Sequence, residues 1–197
     1  MAKKKRRKLS PGRGAQKGAA FERKCCKQLS LWVSDGQRDD VFWRSAMSGG
    51  RATLGLRKGI KRDAQAGDMT SISEHLGANR FLKVFVAEFK HRRNLRLESL
   101  ISKKKSPLLG FWKKHLGECN SFSRLPFMVA KQNLLPTLLI LNNAGMVRFG
   151  LTSVSKIVMA WAPVSYEGQR CQMYILSWER FLKTIPPLRI KRTHLRG

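Results

Sequence analysis

Hydrophobic residues recur at helical spacing in the first part of the chain. Phe21, Cys25, Leu29 and Trp32 follow one another at intervals of three or four residues, which places them on one face of an α-helix. This spacing predicts a helix over residues 17–33 that packs against a core. The pattern also predicts further helices near residues 107–118 and 178–184.

Short apolar runs bounded by turn residues predict β-strands. Residues 81–90 contain Val84 and Val86 with flanking aromatic residues, which favours a strand. A turn containing Gly77 is expected before it, after a short strand at 68–73, so the two strands are predicted to form a hairpin. Additional strands are expected at residues 41–43, 127–130, 137–141 and 172–176. Interleaved helices and strands indicate an α/β domain.

The chain of 197 residues is long enough for one domain with a sizeable core. Residues 1–16 combine a basic block with Ser, Pro and Gly, and are expected to form a disordered basic tail. The domain is predicted to span residues 17–185 and to be followed by a basic C-terminal tail at 186–197. Residues 34–67 are rich in Gly, Ser, Asp and Arg, and a loop of this length suggests function.

The net charge adds a class of partner to this outline. The chain has 40 Lys and Arg residues against 12 Asp and Glu residues, a formal charge of +28. Such an excess of positive charge indicates a polyanionic binding partner. Nucleic acid fits best, because each phosphate that the protein neutralises releases counterions. A membrane surface is disfavoured because the basic residues are spread along the chain instead of lining one amphipathic helix.

Several absences indicate an intracellular protein. No apolar run approaches the roughly 18 residues that a spanning helix needs. The basic start is followed by Ser10, Pro11 and Gly12, which argues against a secretory signal. The four cysteines show no zinc-ligand spacing and are interpreted as reduced thiols.

Candidate chemistry centres on Glu88 and Lys90. Residues i and i+2 of a strand share a face, so this carboxylate and this ammonium should point the same way. The predicted hairpin would bring Asp68 beside Glu88. Two neighbouring carboxylates repel unless a cation lies between them, and an oxygen-only ligand set favours Mg²⁺. Glu22, on the flank of the buried helix face, is a third candidate acid, although an ordinary helix pair with a lysine explains it equally well.

Four sequence segments carry a resemblance to a known family. They are Gly18-Ala19-Ala20-Phe21-Glu22-Arg23, Arg44-Ser45 through Ser48-Gly49-Gly50-Arg51, Gly67-Asp68, and Glu88-Phe89-Lys90. In this order they resemble PD-(D/E)XK nucleases, with the closest likeness to archaeal-type and phage Holliday-junction resolvases. The likeness extends over about residues 17–185. Gly67 departs from the proline that gives the family motif its first letter.

The resemblance implies a fold, a site and a cofactor. The implied fold is α/β with a restriction-endonuclease-like core, a central mixed β-sheet of four to five strands flanked by helices. Glu22, Asp68, Glu88 and Lys90 are the implied catalytic residues, and the three acids are the implied ligands of Mg²⁺, with Mn²⁺ as a substitute. The implied activity is endonucleolytic hydrolysis of DNA, with branched DNA among the substrates.

Further residues are candidates for DNA contact. Arginines bind phosphate in bidentate fashion, and glycines let a loop approach it closely. The candidate DNA-binding residues are Arg44, Ser45, Ser48, Arg51 and Lys131. For each, a solvated surface position is the competing interpretation.

Two alternatives remain open from the sequence. A non-catalytic basic nucleic-acid-binding protein explains the charge but not the placement of the acids. A restriction or nicking enzyme of the same fold shares the site but not the substrate. A junction-selective enzyme is expected to be a homodimer, because two-fold symmetry places two cuts symmetrically.

Overall fold

The computed structural model describes residues 11–45, 66–71, 74–96 and 106–187. Helices in these ranges are α1 (Pro11–Val33), α2 (Leu76–Val84), α3 (Pro107–Ser121), α4 (Asn143–Arg148) and α5 (Trp178–Thr184). Strands are β1 (Phe42–Arg44), β2 (Met69–Ser71), β3 (Phe85–Arg92), β4 (Leu125–Gln132), β5 (Thr137–Asn142), β6 (Val158–Tyr166) and β7 (Gln169–Ser177). No helix in these ranges is both long enough and apolar enough to cross a membrane.

A mixed sheet of five strands forms the centre of the domain. Its strand order is β3-β4-β5-β7-β6, in which β3 and β4 are parallel and the other neighbours antiparallel. Helix α3 connects the two parallel strands, as a parallel pair requires. Strands β1 and β2 form a separate antiparallel pair. The predicted restriction-endonuclease-like α/β core, with a mixed sheet flanked by helices, is confirmed.

Alternation along β3 separates two hydrophobic layers. Phe85, Ala87 and Phe89 join the core that also contains buried residues of α1, α2 and α5. Val86 faces the other way and packs against Cys119 of α3. Because side chains of a strand alternate, Glu88 and Lys90 share the α3 face with Val86. The sheet thus places the polar end of β3 beneath α3.

Aromatic rings dominate the larger core. Phe85 is fully buried and stacks on Phe149 at 5.0 Å between ring centroids, and it also lies 5.2 Å from Phe81. Phe127 and Phe181 complete the group with edge-on contacts. Aromatic pairs at such distances add about 0.5–1.5 kcal/mol each beyond area burial. This cluster holds β3 in position on the face of the sheet opposite α3.

Most of the predicted elements are confirmed, with changed boundaries. The helix predicted over residues 17–33 is α1, which begins earlier, at Pro11. The helix at 107–118 is α3, and the helix at 178–184 is α5 over the same residues. The strands predicted at 41–43, 127–130, 137–141 and 172–176 correspond to β1, β4, β5 and β7.

The predicted hairpin before Glu88 is wrong. Residues 76–84 form α2, because His75 caps its start by accepting a hydrogen bond from Ala78 N at 3.3 Å. Ala78 and Phe81, three residues apart, form the buried face of this helix. The first four residues of the strand predicted over 81–90 therefore belong to a helix. Strand β2 pairs with β1 and not with β3. Strand β6 was not predicted from the sequence; it is an edge strand that contains Pro163 and exposes Trp161.

Some sequence predictions fall outside the described residues. These are the first ten residues of the N-terminal tail, the C-terminal tail from residue 188, and the loop positions Ser48 and Arg51.

Candidate active site

Asp68 is attached to the free edge of β3. Its backbone N donates to Ala87 O at 2.8 Å, and its carboxylate Oδ2 accepts a hydrogen bond from Phe89 N, also at 2.8 Å. Strand β3 is at the edge of the sheet, so these backbone groups have no strand partner on that side. Asp68 occupies the position of the missing strand partner, and only 3% of its surface is exposed. The carboxylate is therefore held in one position beside β3.

Gly67 makes this close approach possible. Its φ is +75°, a left-handed conformation that proline cannot adopt, since the ring of proline holds φ near −65°. A Cβ at this position would overlap the carbonyl oxygen of Ala87 and lie 2.8 Å from Cγ1 of Val86. The departure from the family's Pro-Asp pair is thus explained by local geometry.

The residues after β1 support the same segment. Ser45 N donates to Asp68 O at 3.0 Å, and Ser45 Oγ donates to Gly67 O at 2.8 Å. Ser45 is buried, with 5% of its surface exposed. In this structure, its hydroxyl therefore holds the backbone of Gly67 in place and does not face solvent.

Glu88 and Lys90 lie on one face of β3, as the strand alternation predicts. They form a salt bridge, and the exposed fractions of their side chains are 13% for Glu88 and 24% for Lys90. Burial, reinforced by the charge of Glu88, raises the pKa of Asp68 well above its ordinary value. Burial alone would lower the pKa of Lys90, but the carboxylates of Glu88 and Asp68 outweigh it and the pKa is raised. The charge of Glu88 therefore acts on both Asp68 and Lys90.

Glu22 of α1 lies close enough to the site for its charge to act on Asp68. It forms a salt bridge with Arg44 of β1, and 13% of its side chain is exposed. Its negative charge contributes to the raised pKa of Asp68, after burial and Glu88. The first-helix glutamate therefore lies in the neighbourhood of Asp68, paired with one of the loop arginines.

Lys131 lies elsewhere. It is opposite His91 in the parallel register of β3 and β4, so the two side chains share a face. The ring of His91 lies 5.2 Å from that of Phe21 on α1. Lys131 is therefore on the α1 side of the sheet, away from the face that carries Glu88 and Lys90.

Two residues of α3 near Glu88, His115 and Glu118, were not among the site residues predicted from the sequence. Single ligand atoms of Glu88, His115 and Glu118 all lie within 4.8 Å of one another. Glu118 Oε1 accepts a long hydrogen bond of 3.4 Å from Gly67 N. Burial, followed by the charge of Glu88, raises the pKa of Glu118. The available signal was the spacing of three residues, which puts His115 and Glu118 on one face of a helix.

The donor set fits a divalent cation. An oxygen of Glu88 lies within 4.8 Å of one of Glu118, and the charge of Glu88 also acts on Asp68, so carboxylates gather around Glu88. Mg²⁺ and Mn²⁺ prefer such oxygen ligands. Neighbouring carboxylates disfavour each other's ionised form unless a cation neutralises them. Burial, followed by the charge of Glu88, raises the pKa of both Asp68 and Glu118, as this predicts. The chemistry of these residues is that of a metal-binding site.

The chain matches a known protein family. A family model described as "Phage putative PDDEXK endonuclease" matches residues 14–192, most of the chain. The chain belongs to this family and thus to the PD-(D/E)XK nucleases. Comparison with curated proteins gives no match, and comparison with solved structures gives none either.

Proposed function

We propose that this PD-(D/E)XK family member is a Mg²⁺-dependent DNA endonuclease in which Asp68, Glu88 and Lys90 form the catalytic site. Mn²⁺ is the expected substitute ion. The observation that best supports this proposal is the attachment of Asp68 to the edge of β3, where its carboxylate lies beside Glu88.

Asp68 and Glu88 are the proposed metal ligands, with Glu22 nearby as a third acid. A divalent cation there would supply positive charge that neutralises the scissile phosphate and makes a water more acidic. Both carboxylates are largely buried, and low solvent access strengthens their electrostatic interactions.

Lys90 is proposed to act on the phosphate or on the attacking water. Its ammonium is next to the carboxylate of Glu88 and lies 5.9 Å from the centre of the Phe111 ring. From this position, it can donate hydrogen bonds to a phosphate oxygen as negative charge develops, or orient the water that attacks. Phe111 limits where the lysine side chain can go.

Two arginines extend the proposed phosphate-binding surface. Glu22 holds the guanidinium of Arg44 in a salt bridge, and a guanidinium binds phosphate through two parallel hydrogen bonds. Arg92 lies two residues beyond Lys90 on the same face of β3, with its guanidinium carbon 5.4 Å from the centre of the Phe111 ring. DNA bound to the site would therefore pass between these cations. Ser48 and Arg51 stay predicted contacts, whereas Lys131 lies on the opposite face of the sheet.

We further propose a preference for branched DNA and a homodimeric assembly. Both rest on the resemblance of the motif series to Holliday-junction resolvases. A dimer would present two sites related by a two-fold axis, as two symmetric cuts require.

The test is a cleavage panel with purified protein. Supercoiled plasmid, linear duplex, single strand, a flap and a four-way junction are incubated with Mg²⁺, with Mn²⁺ or with EDTA. Metal-dependent cutting that is fastest on the junction is the expected result. Metal-dependent cutting without that preference points to a restriction or nicking enzyme. Binding to every substrate without cutting any of them would refute the nuclease.

A further inference from the structure

Helix α3 places His115 and Glu118 directly beside Glu88. One ligand atom from each of the three residues lies within 4.8 Å of the others. We propose that Glu88, His115 and Glu118 form a second divalent-cation site, which shares Glu88 with the Asp68 site and prefers Mn²⁺ or Zn²⁺ to Mg²⁺. The binding is inferred from these three residues alone, while a role for the ion in DNA cleavage rests on the function proposed above.

His115 is buried beside the strand that carries Glu88. It is 2% exposed, and the backbone of Val86 on β3 lies next to its ring. Metal-binding histidines commonly donate one ring N–H to a carbonyl or carboxylate, which fixes the ring and leaves the other nitrogen as the ligand. Cys119 Sγ lies 3.6 Å from Nε2 and 3.8 Å from Nδ1, and a thiol is only a weak hydrogen-bonding partner. The imidazole is thus held in place with a ligand nitrogen to offer.

Glu118 lacks the partner that a half-buried carboxylate usually has. Among the residues that the structure describes, it forms no salt bridge, and its one hydrogen bond, from Gly67 N, is long at 3.4 Å. A carboxylate has about four lone-pair positions, so most of its acceptor capacity is unused. Glu118 is also linked through Gly67 to Asp68, so the two cation sites share a backbone segment as well as Glu88.

The ligand types determine which ion the site prefers. Imidazole nitrogen suits zinc and other transition metals, whereas Mg²⁺ and Ca²⁺ favour oxygen ligands alone. Two ligands of a tetrahedral ion with bonds of about 2.1 Å lie about 3.4 Å apart. The three atoms, which lie within 4.8 Å of one another, therefore need to approach by at most about 1.4 Å, a change that rotation of the two glutamate side chains can supply.

Binding is measured by titrating the metal-free protein with Mn²⁺ in the absence of DNA, using the loss of the free-ion signal in electron paramagnetic resonance. Wild type is expected to bind two Mn²⁺ ions per chain, and excess Mg²⁺ is expected to displace only one. Glu118→Gln, which keeps the size of the side chain, is expected to bind one. Glu179→Gln, at an exposed position of α5, is the matched control and should still bind two.

A second measurement follows the ligand nitrogen directly. In wild type labelled with ¹⁵N-histidine, the first equivalent of Zn²⁺ is expected to shift the signal of one ring nitrogen of His115. In Glu118→Gln, this signal is expected to stay unshifted. The proposal is overturned if wild type binds a single Mn²⁺, if Glu118→Gln binds as many ions as wild type, or if Zn²⁺ leaves the His115 nitrogens unshifted. If wild type binds two Mn²⁺ ions but does not cleave plasmid DNA, the result counts against the proposed nuclease activity and not against the second cation site.

Discussion

Replacing Gly67 with alanine should disable the site more than it destabilises the fold. The left-handed φ of +75° costs an alanine roughly 1–2 kcal/mol. The new Cβ would also overlap Ala87 O, a backbone atom of the central sheet that cannot easily move. The segment must shift instead, which weakens two hydrogen bonds to β3 of about 0.5–1.5 kcal/mol each. We expect a loss of about 2–5 kcal/mol in local stability and a displaced Asp68 carboxylate.

Displacing a catalytic group by about 1 Å can reduce a rate by roughly 100-fold. The assay is the nicking rate of supercoiled plasmid in Mg²⁺, below the melting temperature of every variant. Gly168→Ala is the matched control, because Gly168 has φ +76° but open space around its Cβ position. It should lower the melting temperature by about 2–8 °C and leave the nicking rate unchanged. A Gly67→Ala protein that nicks as fast as Gly168→Ala would refute the reasoning.

Three further substitutions test separate parts of the structure. Lys90→Ala should reduce single-turnover cleavage by at least about 100-fold, because it removes a donor to the transition state, and an unchanged rate would exclude this role. Ser45→Ala removes the bond to Gly67 O and should lower the free energy of unfolding by about 1 kcal/mol in urea titration, whereas an unaltered midpoint would show that this bond contributes nothing. Phe85→Ala leaves a cavity against Phe149 and should cost about 3–5 kcal/mol in the same titration, so a loss below about 1 kcal/mol would contradict the packing described.

Long periodic segments were predictable from the sequence. The four apolar residues of α1 lie on the buried face, as their spacing requires, and the Glu88-Phe89-Lys90 alternation places acid and ammonium on one face. Such local geometry depends only on the repeat of the helix or the strand. The prediction therefore holds for these two elements, whose repeats extend over several residues.

Contacts between distant segments were not predictable in the same way. The expected hairpin would have brought Asp68 to Glu88 through strand pairing, whereas the structure attaches Asp68 to β3 by one backbone bond and one carboxylate bond. Nothing in a single sequence specifies such an edge contact. The role of Gly67 was equally hidden, because the clash that demands glycine comes from Ala87, twenty residues later.

Glu118 shows a third reason for failure. Its spacing from His115 was visible, but ligand pairs three residues apart on a helix are common and gain meaning only when a third ligand faces them. The parallel crossover from β3 through α3 to β4 supplies Glu88 as that third ligand. Topology, which one sequence does not reveal, turned an ordinary pair into a candidate site.

Asp68 is the residue on which the proposed activity depends most, and Asp68→Asn is the most direct test. Asparagine can still accept the hydrogen bond from Phe89 N, so the substitution removes charge and leaves the local fold intact. Single-turnover cleavage in saturating Mg²⁺ should fall by at least about 1000-fold, which corresponds to about 4 kcal/mol. DNA affinity measured in Ca²⁺ should stay within a few-fold of wild type. Cleavage by Asp68→Asn at close to the wild-type rate would contradict the proposed site.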